Sequence, residues 1–113
     1  MRLKEVVNRL DLTVKSGAGL LDREITGGYV SDLMSDVMAN AREGVLWVTL
    51  QIHPNIVAVA VMKSLAGIVL VNGREPEKAT VEKARAGEIP IMVTDLPAFE
   101  LAGKLFALGI SGR

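Results

Sequence analysis

The sequence contains no cysteine, which excludes disulfides, thiol nucleophiles and cysteine-ligated zinc. A single histidine, His53, excludes a multi-histidine metal centre as well. Aromatic residues are scarce, and 13 basic residues balance 13 acidic ones. The chain therefore offers neither the stacking surface nor the positive field of a nucleic-acid binder, and nucleic acid is not an expected partner. Long hydrophobic runs are missing too. The longest, Ile56 to Met62, falls far short of the ~20 residues that span a bilayer. Met1 to Asn8 lacks the apolar core of a signal peptide, so no membrane partner is expected and a cytoplasmic location is. Gly17-Ala18-Gly19 is followed by Leu20-Leu21-Asp22, and Gly103-Lys104 by Leu105. Neither a dinucleotide fingerprint nor a phosphate-loop Gly-Lys-Ser/Thr is present, and no cofactor is expected.

What is present is a core. Half of the 113 residues are hydrophobic and 23% are charged, the composition of one packed domain spanning 1–113. Leu3, Val6, Val7 and Leu10 share one helical face. Leu12-Thr13-Val14 is β-prone, Ser16-Gly17-Ala18-Gly19 reads as a flexible turn, and Ile25 to Val30 reads as a strand weakened by Gly27-Gly28. Ser31-Asp32 then reads as the N-cap of a helix to about Arg42. From Val45 the pattern turns regular. Val45 to Leu50, Gly67 to Val71 and Pro90 to Thr94 are apolar runs of the kind buried on both faces of a parallel sheet, with Trp47 in the core. Helices starting near Pro54, Pro76 and Pro97 follow them. The last carries Phe99, Ala102, Leu105 and Phe106 as its apolar stripe, and Glu100 is spaced to pair with Lys104. Alternating strand and helix with short connections predicts an α/β fold, a three-layer α/β/α sandwich around a mostly parallel sheet.

Ligands of open α/β sheets sit beyond the carboxyl ends of the strands. Those ends deliver His53 and Asn55, then Asn72, Gly73 and Arg74, then Thr94 and Asp95, and these are the candidate ligand-binding residues. Arg74 suits a phosphate or carboxylate, and the asparagines and His53 suit a polar ligand. The same residue types also build turns and helix caps: Asn72-Gly73 is a turn dipeptide, and His53 precedes a helix that starts at Pro54. Asp32 and Asp36, four apart, read either as a carboxylate pair or as a solvated helix face. Ser31 and Ser35 have no general base nearby in sequence. No catalytic or metal-binding residue is assigned, and the chain is not expected to be an enzyme. The segment Ile56 to Met62 is apolar on every side, which predicts a homodimer with this helix at or beside the interface.

At Asp22-Arg23, Thr26-Gly27-Gly28-Tyr29, Asp32-Leu33, Ser35 to Ala41, and Thr49 with Gln51, His53 and Asn55, the chain resembles the DRTGG domain. The likeness continues through Asn72-Gly73-Arg74, Pro76 and Thr94-Asp95, although Glu24-Ile25 separates Arg23 from Thr26. The resemblance implies the α/β/α fold of the N-terminal domain of HPr kinase/phosphatase. It also implies a regulatory module of the kind that accompanies CBS domains, phosphate acetyltransferases and cobyric-acid-synthase-like ATPases. The expected function is a non-enzymatic regulatory or ligand-sensing domain for a small anionic metabolite or nucleotide. The alternative is a dimerisation module with no small-molecule ligand.

Overall fold

In the computed structural model, which describes residues 1–113, the strands are β1 (Thr13–Ser16), β2 (Gly27–Val30), β3 (Val45–Thr49), β4 (Gly67–Leu70) and β5 (Ile91–Val93). The helices are α1 (Leu3–Arg9), α2 (Met34–Asn40), α3 (Asn55–Met62), α4 (Lys78–Gly87) and α5 (Ala98–Ala107). One sheet runs in the order β1-β5-β4-β3-β2. β2 to β5 are parallel neighbours in sequence order, and β1 closes the far edge antiparallel to β5.

Side chains alternate across each strand, so Leu46 and Val48 point to one face while Trp47 points to the other. Every residue of β3 and β4 is buried, as uninterrupted apolar runs require. On the first face α2, α3 and α4 set Val37, Ile56, Val57, Ala60 and Ala84 in one cluster with Trp47, Ile68 and Leu70. On the second, α1 and α5 set Leu3, Val6, Leu101 and Leu105 in a cluster with Leu46, Val48, Val69 and Val71. This is the expected three-layer α/β/α arrangement around a mostly parallel sheet.

Some local expectations are corrected. Ser16 does not begin a flexible turn. It is buried, accepts from Ile91 N at 3.1 Å and donates to Ile89 O at 2.9 Å, which stitches β1 to β5 where their register shifts. Ala18–Leu20 after it is a short 3₁₀ turn entered through Gly17 at φ +79°. α2 begins later than Ser31-Asp32 suggested, with Leu33 at its N-cap. In α5 the buried residues are Leu101 and Leu105, while Phe99 and Phe106 face outward. Glu100 and Lys104 form no ion pair with each other. The apolar helix α3 is the middle member of its layer, flanked by α2 and α4 over the sheet. Ile56, Val57, Val59 and Ala60 are buried by the chain itself, so α3's apolar circumference needs no second copy to cover it. Asn55 at its start and Val61 and Met62 at its end are exposed.

Candidate functional site

The connections that leave β2, β3 and β4 all lead to helices on the first face, whereas the one that leaves β5 leads to α5 on the second. Two neighbouring parallel strands, β4 and β5, therefore send their chains to opposite sides, and such a divergence opens a crevice at the carboxyl ends of an α/β sheet. A groove of about 370 Å³ lies at this point, lined by Asp11, Thr13, Lys15, Gly73, Glu75, Thr94 and Asp95 among others.

Gly73, Thr94 and Asp95 are thus brought together as the strand-end argument expected. Arg74 N donates to Val71 O at 3.1 Å across Asn72 (φ 57°) and Gly73 (φ 66°), a tight turn with two left-handed residues. The positive φ favours glycine at 73, where a Cβ would meet only the end of the exposed Asp95 side chain, Oδ1 at 3.0 Å. Asn72 N and Gly73 N donate to Leu96 O and Thr94 O, each at 2.9 Å, tying the turn to the end of β5. Thr94 is buried and its Oγ1 accepts from Leu96 N at 3.2 Å. Asn72 and Arg74 are exposed on the same turn, and Arg74 has no ion-pair partner. His53, on the connection after β3, and Asn55, the first residue of α3, lie outside the groove. There His53 Nδ1 accepts from Asn55 N at 3.1 Å, a capping role at the start of α3.

Sequence reasoning missed Asp11, Thr13 and Lys15. They reach the groove because β1 runs antiparallel beside β5, so the beginning of β1 adjoins the end of β5. Lys15 Nζ stands 3.1 Å from Glu75 Oε1 across the groove. Carboxylates of Asp11, Glu75 and Asp95 outnumber the one lysine in this lining.

The other polar cluster at the carboxyl ends is consumed in holding the fold. Asp32 Oδ1 accepts from Leu50 N at 2.7 Å and from Thr49 Oγ1 at 2.9 Å, while Gln51 Nε2 donates to Asp32 O at 2.9 Å. Asp36 looks elsewhere: the Tyr29 hydroxyl and the Asn40 amide donate to it, each at 2.9 Å. The two aspartates therefore do not share a site. Hydrogen bonding from Ser31, Asn40 and Tyr29 holds the Asp36 carboxyl below the usual carboxylate range, and bonding to Asp36 raises the Tyr29 hydroxyl.

The segment from Asp22 to Gly28 sits at the opposite end of the sheet, where β2 and β3 begin. Arg23 Nη2 donates to Glu88 O at 2.7 Å, satisfying a carbonyl at the left-handed residue that ends α4. Thr26 Oγ1 donates to Glu43 O at 2.7 Å. Gly28 N donates to Ser111 O at 2.9 Å, and that same oxygen would lie 2.7 Å from a Cβ on Gly27. The glycine pair is the track on which residues 110–112 pass over β2. A further depression of about 600 Å³ opens here, lined by Arg23, Glu24, Glu43, Ser64 and Glu88 among others.

No family model matches the chain, and no curated protein matches it. Among solved structures it is similar to the crystal structure of the CBS and DRTGG domains of the regulatory region of Clostridium perfringens pyrophosphatase, complexed with the activator diadenosine tetraphosphate. The match has a TM-score of 0.68 at 15% identity and covers 97% of this chain. The fold is DRTGG-like. The chain spans about half, 47%, of the length of that structure. At this identity the likeness concerns backbone architecture, and the DRTGG-like segment's contacts described above come from this chain's own residues.

Proposed function

We propose that this DRTGG-like chain is a regulatory, ligand-sensing module without catalytic chemistry of its own, and that it takes a nucleotide or other small anionic metabolite in the groove between the ends of β4 and β5. The observation that carries this reading is the groove's position at the one place where adjacent strands send their connections to opposite faces. The similar Clostridium perfringens structure supports it, being a regulatory region in complex with a nucleotide activator. The cations that would meet phosphate oxygens are Lys15 in the lining, beside Glu75, and Arg74, which is exposed on the adjoining turn and does not itself line the groove. The Asp11 and Asp95 carboxylates suit ribose hydroxyls, which donate to them. The absence of catalysis is supported by the occupation of the candidate groups: His53 caps a helix, and Asp32 and Asp36 are spent on separate structural bonds.

The exposure of Phe99 and Phe106 favours a second reading, an interaction module whose working surface is α5. Titration calorimetry with ATP, diadenosine tetraphosphate and inorganic phosphate separates the two. The ligand-sensing reading expects heat with at least one of the nucleotides. It also expects Arg74→Ala to weaken that binding tenfold or more, because a charge-assisted hydrogen bond contributes ~1.5–3 kcal/mol. Equal affinities would remove Arg74 from the site. No heat with any of the three would leave the interaction reading standing alone.

A further inference from the structure

Four asparagines occur in the chain, and the residues that follow them are Arg9, Ala41, Ile56 and Gly73. Asn72 alone precedes a glycine. An asparagine side-chain carbonyl carbon lies within reach of the next residue's backbone nitrogen, and a side chain on that next residue obstructs the approach. Asn72 and Gly73 are both exposed, and around the position of a Gly73 Cβ only Asp95 Oδ1 comes within 4 Å. Water therefore reaches the pair.

Attack needs the nitrogen free, and the fold engages it. Gly73 N donates to Thr94 O and Asn72 N to Leu96 O, each at 2.9 Å, so the chain is pinned on both sides of Asn72 Cα, which holds φ 57°. The Asp95 carboxylate beside Gly73 also opposes a negative charge on that nitrogen. We propose that Asn72 is a site of spontaneous deamidation, restrained while the turn after β4 stays bonded to the end of β5 and released when that turn opens.

On opening, Gly73 N gives up its proton to solvent and attacks Asn72 Cγ. The N–Cγ bond forms, the Cγ–Nδ2 bond breaks, and the amide nitrogen leaves as ammonia with a proton from water. The cyclic imide left behind takes up one water at either of its carbonyl carbons, giving aspartate or isoaspartate at 72. Water is the only co-reactant, and nothing is oxidised or reduced. The other asparagines lack the opening: Asn8, Asn40 and Asn55 lie in α1, α2 and α3 before residues with side chains, and Asn40 Nδ2 donates to Asp36.

Isoaspartate puts one more carbon in the main chain between residues 72 and 73, inside the turn that Arg74 N closes on Val71 O. Either product adds a carboxylate beside a groove already lined by Asp11, Glu75 and Asp95. Weaker anion binding after modification rests on the ligand reading above, whereas the reaction itself needs no ligand.

The test incubates the purified chain in mildly alkaline buffer, folded or unfolded in urea, and follows each asparagine-containing peptide by mass spectrometry for exchange of amide to acid. Asn72 should convert ahead of Asn8, Asn40 and Asn55. Its rate in urea should exceed the folded rate about 5- to 150-fold, the population change for losing two backbone hydrogen bonds of ~0.5–1.5 kcal/mol each. Thr94→Val removes the hydroxyl that accepts from Leu96 N at 3.2 Å and so loosens one end of the restraint. It should speed conversion in the folded chain about 2- to 10-fold and leave the rate in urea unchanged. Equal rates in the folded and unfolded chains overturn the restraint, as does a folded Thr94→Val no faster than wild type. Faster conversion at another asparagine, or none at Asn72 in urea, overturns the site, and so does a folded chain still unmodified after ~150 unfolded half-lives.

Discussion

Trp47→Ala is expected to destabilise the chain by ~3–5 kcal/mol, the range for removing a large buried aromatic ring. Trp47 is 0% exposed on an inner strand, paired with Tyr29 on one side and Ile68 on the other, and it belongs to the cluster formed with α2, α3 and α4. Its Nε1 donates to Ser31 O at 2.8 Å, so the ring also anchors the connection after β2. Against a total of ~5–15 kcal/mol for a domain of this size, the change removes a large share of stability. Thermal unfolding should shift down by more than ~10 °C. Trp47→Phe keeps most of the volume and leaves only the Ser31 carbonyl without its donor, so it should cost ~1–3 kcal/mol. In the wild type, native fluorescence should be blue-shifted and protected from acrylamide. A shift of only a degree or two for Trp47→Ala would contradict the packing described.

Gly27→Val should have the next largest effect. Any Cβ at this buried position points at Ser111 O from 2.7 Å, and the contact is with backbone, which has no rotamer through which to yield. Residues 110–112 must lift from β2, pulling Ile110 from the core beneath α5 and breaking the bond from Gly28 N to Ser111 O. Overpacking of this kind costs ~1–3 kcal/mol, and the released segment should become the first site of proteolytic cleavage. Gly28→Ala is the control: its Cβ would meet Ile110 Cγ2 at 3.4 Å and Leu46 O at 3.9 Å, both ordinary contacts. Denaturant unfolding of the two variants, followed by limited proteolysis, checks the contrast. Equal stability for Gly27→Val and wild type would show that residues 110–112 are not held on the glycine track.

These two residues also show what the sequence makes legible. Trp47 could be placed because a strand buried on both faces is apolar without interruption, and Val45 to Leu50 is too short for a helix. The jobs of Gly27 and Arg23 could not be read, because their partners, Ser111 and Glu88, are distant in sequence. In α5 both faces are apolar, and Leu105 and Phe106 differ by less than a third of a turn. Periodicity therefore did not decide which of them enters the core. Strand-end logic placed Gly73, Thr94 and Asp95 at the end of the sheet where they line the groove, since it depends only on strand direction. It did not separate them from His53 and Asn55, because the crevice is set by which neighbouring strands diverge, and that follows from sheet order. Asp11 and Lys15 were invisible for the same reason: β1 pairs with β5 across most of the chain, Thr13 with Val93.

The central claim is that the groove between the ends of β4 and β5 is the ligand site. Amide chemical-shift mapping of the isotope-labelled chain tests it most directly, with diadenosine tetraphosphate and inorganic phosphate as probes. The account predicts saturable shifts largest at Asp11, Lys15, Gly73, Arg74 and Asp95, with Arg23, Thr26 and Gly87 at the opposite end of the sheet unmoved. Shifts confined to that opposite end or to α5, or none at millimolar probe, would contradict it.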